Sequence, residues 1–585
     1  MDWLRDLLKK NGLQWLIAVM LLVNALGFVL RPIGDPDLFW HLRTGDWIRE
    51  HHALPQELIG AAAPSHAPPG ADRFSMTSYW LADLLLSLLY GAGGLGALVA
   101  LRAALLGLLL FLVYRRARGD GLVRAGMLLL AVNTLGQYPA ERPQFLSFVF
   151  AAALLLLLDG IREAPSAAAA RWRGVAVPPL MALWANCHAG FLIGLGFLGV
   201  YAVGELTKRL TPRLQPLPPE RLRLLLAAAA GGFLASLLNP NGWLIMRFAR
   251  VSPVLTGFVS EYFSTIEFFS YNPSPWIVVY WMLLAVAVTG FAFSRRLPDP
   301  AALALVLLTG YFSFTQLRHV PYFVVVAVPV AVASLSGPRL VRVARAAVAA
   351  AGLCAGAYFL PGAVRMIEDG GRGVEVNDYL FPVDAAAFIE SQALQGSMFN
   401  QHGWGGYLLW RLAPRQVFID GRNADPDLVG TYIRVLAGDR SRTHDKEYWK
   451  DCLERHDIRY TVTGFYDPQS GQFQGLIDAL LEDPEWIPVF SSSTALVFAE
   501  NVPQNSLVIR RNALPKAGCY PALLNYADRL IAAMPTFVPP YVAKGELHLR
   551  LGDRAAALAA YAAALRLAPD HAVARARVAS LRAGV

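Results

Sequence analysis

Charge is what this chain has least of. Only 16% of its 585 residues are Asp, Glu, Lys or Arg, 55% are hydrophobic, and mean hydropathy is +0.40. That balance excludes an ordinary soluble domain of this length and points to a polytopic membrane protein. Cysteine is scarce too. Cys187, Cys354, Cys452 and Cys519 form no CxxC pair and no zinc spacing, so neither a disulfide scaffold nor a structural zinc is expected. An extracytoplasmic location would permit a Cys452–Cys519 bridge. No GxGxxG, P-loop, HExxH or GxSxG motif stands in its required context. A net charge of +9 would suit nucleic acid, but the arginines sit between hydrophobic runs. The positive-inside rule accounts for them without a nucleic-acid partner.

What is abundant is apolar sequence in runs of membrane-spanning length, about 20 residues each. Arg5, Lys9 and Lys10 precede the first run, and no A-x-A cleavage site follows before Arg31-Pro32, so an uncleaved anchor is expected. Hydropathy and loop arginines together predict about eleven transmembrane helices. The first covers 14–31, the second 95–114 and the eleventh 346–364, with the N-terminus inside. The loop 32–94 is long and has an Ala/Pro-rich middle. Its Tyr79–Tyr90 segment is too short for a span and reads as a re-entrant or juxtamembrane helix.

Hydropathy and loop arginines alone, without the other polar residues, gather the remaining polar motifs on the outer face. They are the Asp35 loop, Glu141-Arg142, Asn186/His188, Asn239/Asn241, Glu261 and Arg318-His319. The inner loops contain little besides Arg, Lys, Pro and Ala. From about 375 hydropathy drops, and alternating helix and strand patterns, including strands at 397–400, 416–422, 458–463 and 494–498, predict an α/β domain. The domains expected are 1–365 in the membrane, 366–505 as the α/β unit and 506–585 as a helical tail. Residues 538–571 of the tail fit one tetratricopeptide repeat through Gly545, Gly552, Ala557, Tyr561, Ala564 and Pro569. One repeat is fewer than a free-standing solenoid needs, so it is expected to pack on the α/β domain or to present a docking surface.

The densest chemistry is Gly34-Asp35-Pro36-Asp37-Leu38-Phe39-Trp40-His41-Leu42-Arg43-Thr44-Gly45-Asp46-Trp47, directly after the first span. Ionisable groups beside a bilayer are costly and tend to be functional. Two carboxylates two residues apart suit a shared divalent cation (Mg or Mn) or a general base. The plain alternative is an Asp-rich turn capping a helix that begins near Leu38. No other loop supplies a further carboxylate cluster, which favours a metal-free base, Asp37 before Asp35. Arg142, Arg318 and His319 at outer span ends suit a phosphate and the charge that develops as it leaves, or simply snorkel to headgroups. Arg102, near the outer third of its span, needs an acidic partner, for which the first loop is the expected source. His188 with Asn186 suits either ligand contact or helix packing. Gly403-Trp404-Gly405-Gly406-Tyr407 suits carbohydrate stacking or close backbone approach, and Asp420/Arg422 either close over the membrane site or pair with each other.

A first outer loop with paired acidic residues, juxtamembrane helices inside it and many further spans resembles the GT-C superfamily of integral membrane glycosyltransferases. The protein-mannosyltransferase-like and aminoarabinose-transferase-like branches are the most similar. The residues carrying the resemblance are Asp35–Gly45, Trp184–His188, Gly405-Gly406-Tyr407 and Asp420-Gly421-Arg422. It covers roughly 1–365 and not the tail. The resemblance implies a polyprenyl-phosphate-linked sugar donor, a periplasmic acceptor (protein, lipid or glycan), and a multi-pass protein of the bacterial inner membrane with its C-terminal domain periplasmic. It implies Asp37 or Asp35 as base, with Arg142, Arg318 or His319 toward the phosphate. His41, Arg43, Glu141, His188 and Trp404 complete the expected substrate-binding set. The His-Pro-Pro often found on the second loop helix is missing, as is the Trp-Trp-Asp of oligosaccharyltransferases, which argues against N-glycosylation. The rival readings are a non-catalytic scaffold recruiting partners through the tetratricopeptide segment, and a lipid-linked glycan ligase or transporter.

Overall fold

A computed structural model describes the chain apart from residues 1, 63–69, 139–140, 212, 245–258, 293–298, 338–340, 370–373, 393, 423–424 and 584–585. The helices of the N-terminal part are α1 (Asp2–Val29), α2 (Pro36–His51), α3 (Ala71–Thr77), α4 (Trp80–Arg116), α5 (Gly121–Leu135), α6 (Pro143–Glu163) and α7 (Ala167–Cys187). They continue with α8 (Phe191–Arg209), α9 (Pro219–Ser236), α10 (Thr265–Tyr271), α11 (Pro275–Ala292), α12 (Pro300–Thr315), α13 (Val320–Leu335) and α14 (Val341–Glu368). Every expected span position carries a helix. Among the described residues six stretches are long and apolar enough to cross a membrane: Gly12–Val29, Trp80–Arg116, Pro143–Glu163, Phe191–Arg209, Leu317–Leu335 and Arg342–Glu368. Gly121–Leu135, Pro275–Phe291 and Pro300–Thr315 are shorter apolar helices. The inward faces interlock around Leu129, Phe148, Trp184 and Phe323, while Leu22, Phe111, Val203 and Leu307 face outward. Apolar residues on both faces are what a helix between protein and lipid requires.

The arginine-rich end is less plain than its loops suggest. Asp159, Glu205 and Asp299 lie at helix ends and receive Arg116 (3.0 Å), Arg162 (2.7 Å to Glu205) and Lys208 (2.5 Å to Asp299). Carboxylates are therefore not confined to the Asp37 end, as the loop composition implied. Placed on helices rather than in loops, they neutralise cations that would otherwise be buried alone.

Two local devices shape the other end. Asp35 caps α2, its Oδ1 accepting the backbone N–H of Asp37 (2.8 Å) and Leu38 (3.1 Å), with Pro36 opening the first turn. The helix α4 is broken at Gly93-Gly94, where Gly94 has φ +58° and ψ −147°, a conformation open only to glycine. Its first segment, from Trp80, is the expected juxtamembrane helix and packs along α2. Gly45 meets the backbone of Asp83 there without room for a Cβ.

The C-terminal part holds a four-stranded mixed sheet of β1 (Ser397–Asn400), β4 (Ile458–Thr463), β5 (Trp486–Ser491) and β6 (Leu496–Glu500), in the order β1-β4-β6-β5. A two-stranded ribbon of β2 (Arg442–Thr443) and β3 (Lys446–Glu447) lies apart. In the sheet only β1 and β4 run parallel, with Asn400 opposite Val462. The expected strand at 416–422 is not a strand. Val417 makes single bridges to Met398 and Ala61, and the Asn400 side chain replaces the ladder, accepting from Phe418 N–H (2.8 Å) and donating to Ile419 C=O (2.8 Å). Alternation of side chains sends Met398 and Tyr460 into a core shared with Leu38, Phe39, Trp40 and Leu42 of α2. The opposite face of the sheet, with Phe399 and Phe498, shares its core with the tail, including Leu523, Ala527 and Leu547.

The tail helices are α15 (Cys519–Ala533), α16 (Pro539–Arg550), α17 (Arg554–Leu567) and α18 (Ala572–Ala583). Helices α16 and α17 pack as an antiparallel pair, Gly545 lying against the Tyr561 ring where a Cβ would sit 2.6 Å away. Arg550 fastens the pair to Asp478 of the α/β unit at 2.6 Å. Cys452 and Cys519 are buried free thiols, so the disulfide that spacing permitted is not made.

Candidate active site

The start of α2 is the floor of the site. Asp35 is 5% exposed and committed to its capping bonds. Asp37, two residues on, is only partly covered: Oδ1 accepts the Trp40 indole N–H at 3.0 Å and Oδ2 lies 2.6 Å from the Arg142 guanidinium. Arg142 precedes the first residue of α6 and reaches three carboxylates, adding Glu261 at 3.3 Å and Asp35 at 3.7 Å. Arg318, in the turn between α12 and α13, stands 3.8 Å from Glu261 and 4.7 Å over the Tyr262 ring. Burial pushes the Asp35 carboxyl up to about 7, with Asp37 and Glu141 adding to it and Arg142 opposing. Burial also pushes Glu261 up, but Arg142 and Arg318 outweigh it and hold that group below the usual carboxylate range.

His41 lies one turn beyond Asp37 and is 2% exposed. Its Nδ1 is 2.6 Å from Asp83 Oδ1, and its ring stands edge-on to Tyr79 at 5.3 Å. Burial first, then Arg142, His188 and Arg422, push the imidazole well below its ordinary value. The short contact is therefore a hydrogen bond of a neutral ring rather than an ion pair. On the far side of Tyr79, His188 shares Ser147 with Trp184: Nδ1 is 2.8 Å from Ser147 Oγ, which takes the Trp184 N–H at 2.7 Å.

Above this floor comes the α/β unit. Asp420 and Arg422 pair through two contacts of 2.9 and 2.6 Å, and Arg422 also donates to Ile59 C=O at 2.8 Å. Gly421 between them lies directly against Asp37 Oδ1 and 3.4 Å, at its Cβ position, from Trp40 Nε1. At Gly406 a Cβ would lie 2.6 Å from Pro36 O. The two alternatives for 420–422 thus coincide: the residues pair with each other and cover the site.

Several expected site residues lie elsewhere. Glu141 is buried against Arg102 (2.6 Å), so the acidic partner of that arginine is the residue before Arg142 and not, as expected, one from the first loop; Arg102 also donates to Val29 C=O at 2.9 Å. Arg43 points along α2 toward Glu50 at 3.6 Å, away from Arg142. Trp404 is 7% exposed and gives its indole N–H to Leu380 C=O at 2.8 Å, so its ring has no free face for a sugar. His319 lies in an aromatic surround of Phe312 (5.8 Å) and Tyr322 (6.2 Å), close enough to Arg318 and Glu261 to feel both charges. Asn186 accepts from Trp80 Nε1 at 2.8 Å and donates to Leu238 C=O at 2.7 Å, a helix-packing role. The Asn239–Gly242 turn is tied in through Asn241 and Thr77 Oγ1 at 3.1 Å. Asp83, Tyr79, Ser147 and Gly421 were not singled out as site residues from the sequence; Glu261 was noted only as a loop carboxylate.

A divalent cation does not fit the Asp35/Asp37 pair as arranged. One oxygen of each carboxylate is taken by an N–H donor, the others face a guanidinium, and no group of three metal-capable side chains occurs among the described residues. The arrangement instead offers a partly exposed carboxylate against Arg142, with Arg318 linked to that arginine through Glu261.

No family model and no curated protein matches the chain. Solved structures do. The oligosaccharyltransferase AglB from Archaeoglobus fulgidus, solved with an inhibitory peptide and a dolichol-phosphate, is 13% identical with a TM-score of 0.48, covering 93% of this chain and 86% of that one. ArnT from Cupriavidus metallidurans, bound to undecaprenyl phosphate, is 15% identical with a TM-score of 0.47, covering 84% and 98%. The arabinofuranosyltransferase AftD from Mycobacteria is 18% identical with a TM-score of 0.49, covering 84% of this chain and 40% of that one. The likeness to these structures is a distant one of overall fold.

Proposed function

We propose that the chain is a membrane glycosyltransferase that moves a sugar from a polyprenyl phosphate to a hydroxyl-bearing acceptor, with Asp37 as general base. The observation that carries this reading is the placement of Asp37. It is the more exposed member of the acidic pair, 2.6 Å from Arg142, with Arg318 held nearby through Glu261. The acceptor hydroxyl gives its proton to Asp37 while its oxygen bonds to the sugar's anomeric carbon. The bond from that carbon to the phosphate oxygen breaks, and the departing phosphate's charge falls to Arg142 and Arg318. As Arg142 turns to the phosphate it weakens its hold on Asp37, which makes that carboxylate a stronger base when the donor is present. Asp35 keeps α2 in register, and the Asp420-Gly421-Arg422 loop limits the acceptor's approach.

The reading places the site on the periplasmic side of a bacterial inner membrane, with the sheet and tail above it. The test uses the purified chain in liposomes with a polyprenyl-phosphate sugar, measuring free polyprenyl phosphate released. Asp37→Asn should keep its melting temperature and lose roughly 100-fold or more in rate. Full release by Asp37→Asn and by the Asp35→Asn/Asp37→Asn pair would end the proposal.

A further inference from the structure

Glu261 has no part in the proton transfer or the leaving step, yet it sits half-buried beside the groups that do. Its two carboxylate oxygens reach different guanidinium groups: Oε2 is 3.3 Å from Arg142 and Oε1 is 3.8 Å from Arg318. Those arginines come from separate elements, the start of α6 and the turn before α13, and Glu261 comes from a third, the Ser260–Tyr262 turn. One carboxylate thus occupies the position where the oxygens of an anionic ligand would bridge two cations.

Neither contact is tight. The Asp37–Arg142 distance is 2.6 Å, so Glu261 holds Arg142 less closely than the presumed base does. Both arginines have other supports: Arg142 has Asp37 and Asp35, and Arg318 has the Tyr262 ring at 4.7 Å. The turn carrying Glu261 is tied to the other by Leu317 N–H donating to Phe263 C=O at 3.0 Å. Moving the Glu261 side chain therefore leaves two cations still positioned. The donor's phosphodiester offers them two free oxygens, and the departing polyprenyl phosphate, a monoester, offers three with more charge than a carboxylate.

We propose that Glu261 is a built-in stand-in for the phosphate: it holds Arg142 and Arg318 together while the site is empty, yields to the donor, and competes with the departing polyprenyl phosphate so that product leaves. This inference rests on the reading of the two arginines as the phosphate-binding groups.

The experiment measures binding of undecaprenyl phosphate to the full chain in detergent, with undecaprenol as the uncharged control. Glu261→Gln keeps the side-chain shape and removes the competing charge. It should tighten undecaprenyl phosphate binding about tenfold, leave undecaprenol unchanged, and lower both KM and kcat for the donor as release slows. Glu261→Ala should tighten binding in the same direction, which guards against an effect peculiar to the amide. If Arg142→Gln weakens phosphate binding but both Glu261 variants bind as the parent or more weakly, the stand-in role is wrong and the phosphate reading survives. If the parent binds the phosphate and the alcohol alike and Arg142→Gln changes neither, both fall.

Discussion

Gly421 and Asp37, 384 positions apart in the chain, touch so closely that a methyl group on the glycine would collide with the carboxylate oxygen Oδ1. The α/β unit is thereby in direct contact with the group proposed to take the proton. Gly421→Ala should displace either the 420–422 loop or Asp37 and lower the transfer rate by roughly 100-fold, the scale expected when a catalytic group shifts by about an ångström. Gly403→Ala is the control, because no atom lies within 4 Å of a Cβ there. Equal rates for the two variants would show that the contact has no catalytic consequence.

Asp35 separates capping from charge. Asp35→Ala removes the cap of α2 and should cost about 1 kcal/mol, whereas Asn accepts the same backbone bonds. The pH dependence has a definite sign. Burial lifts the folded-state value from 3.8 to about 7, so in that interval the folded protein holds a proton that the unfolded chain has released. Its contribution to stability is full at the acid side, falls as pH rises through that interval, and is gone above it. The melting temperature of Asp35→Asn should therefore decline less than the parent's between pH 5 and 8, and a steeper decline in the variant would refute the assignment.

His41 and Asp83 depend on each other. Asp83 is fully buried, its Oδ1 bonded to His41 and its Oδ2 without a partner among the described residues. His41→Phe leaves that carboxyl without its hydrogen-bond partner and should destabilise the chain by about 1–3 kcal/mol, while His41→Phe/Asp83→Leu should recover most of the loss. Thermal melts of the two variants in detergent decide it. A double variant no better than the single one would mean that the pair is not the source of the cost.

Much of the architecture could be read from hydropathy because depth in a bilayer is written one-dimensionally. A helix at each expected span position and the separate helical segment from Trp80 to the Gly93-Gly94 break follow from that pattern. Which way a side chain faces around its helix does not. Glu141 and Arg142 are neighbours at the same depth, yet one is buried against Arg102 and the other reaches Asp37. Trp404 has the surroundings of a sugar platform in sequence, but its neighbour Gly406 brings backbone against α2, Gly405 packs on Ile419 and Asp420, and the ring is closed into a core. The 416–422 segment had strand-like residues, and only the side chain of Asn400, a non-local partner, takes the place of the missing ladder. Asp83 escaped notice because its partner lies 42 residues earlier.

The break at Gly93-Gly94 gives one helix two duties. Before it, the chain brings Asp83 to His41; after it, Arg102 secures Glu141 and, through the adjoining residue, Arg142. The helix carrying Asp37 and the guanidinium of Arg142 are therefore held from a single beam, bent once at its glycine pair. Their separation is set by the length of α4 rather than by the loops that join the remaining helices.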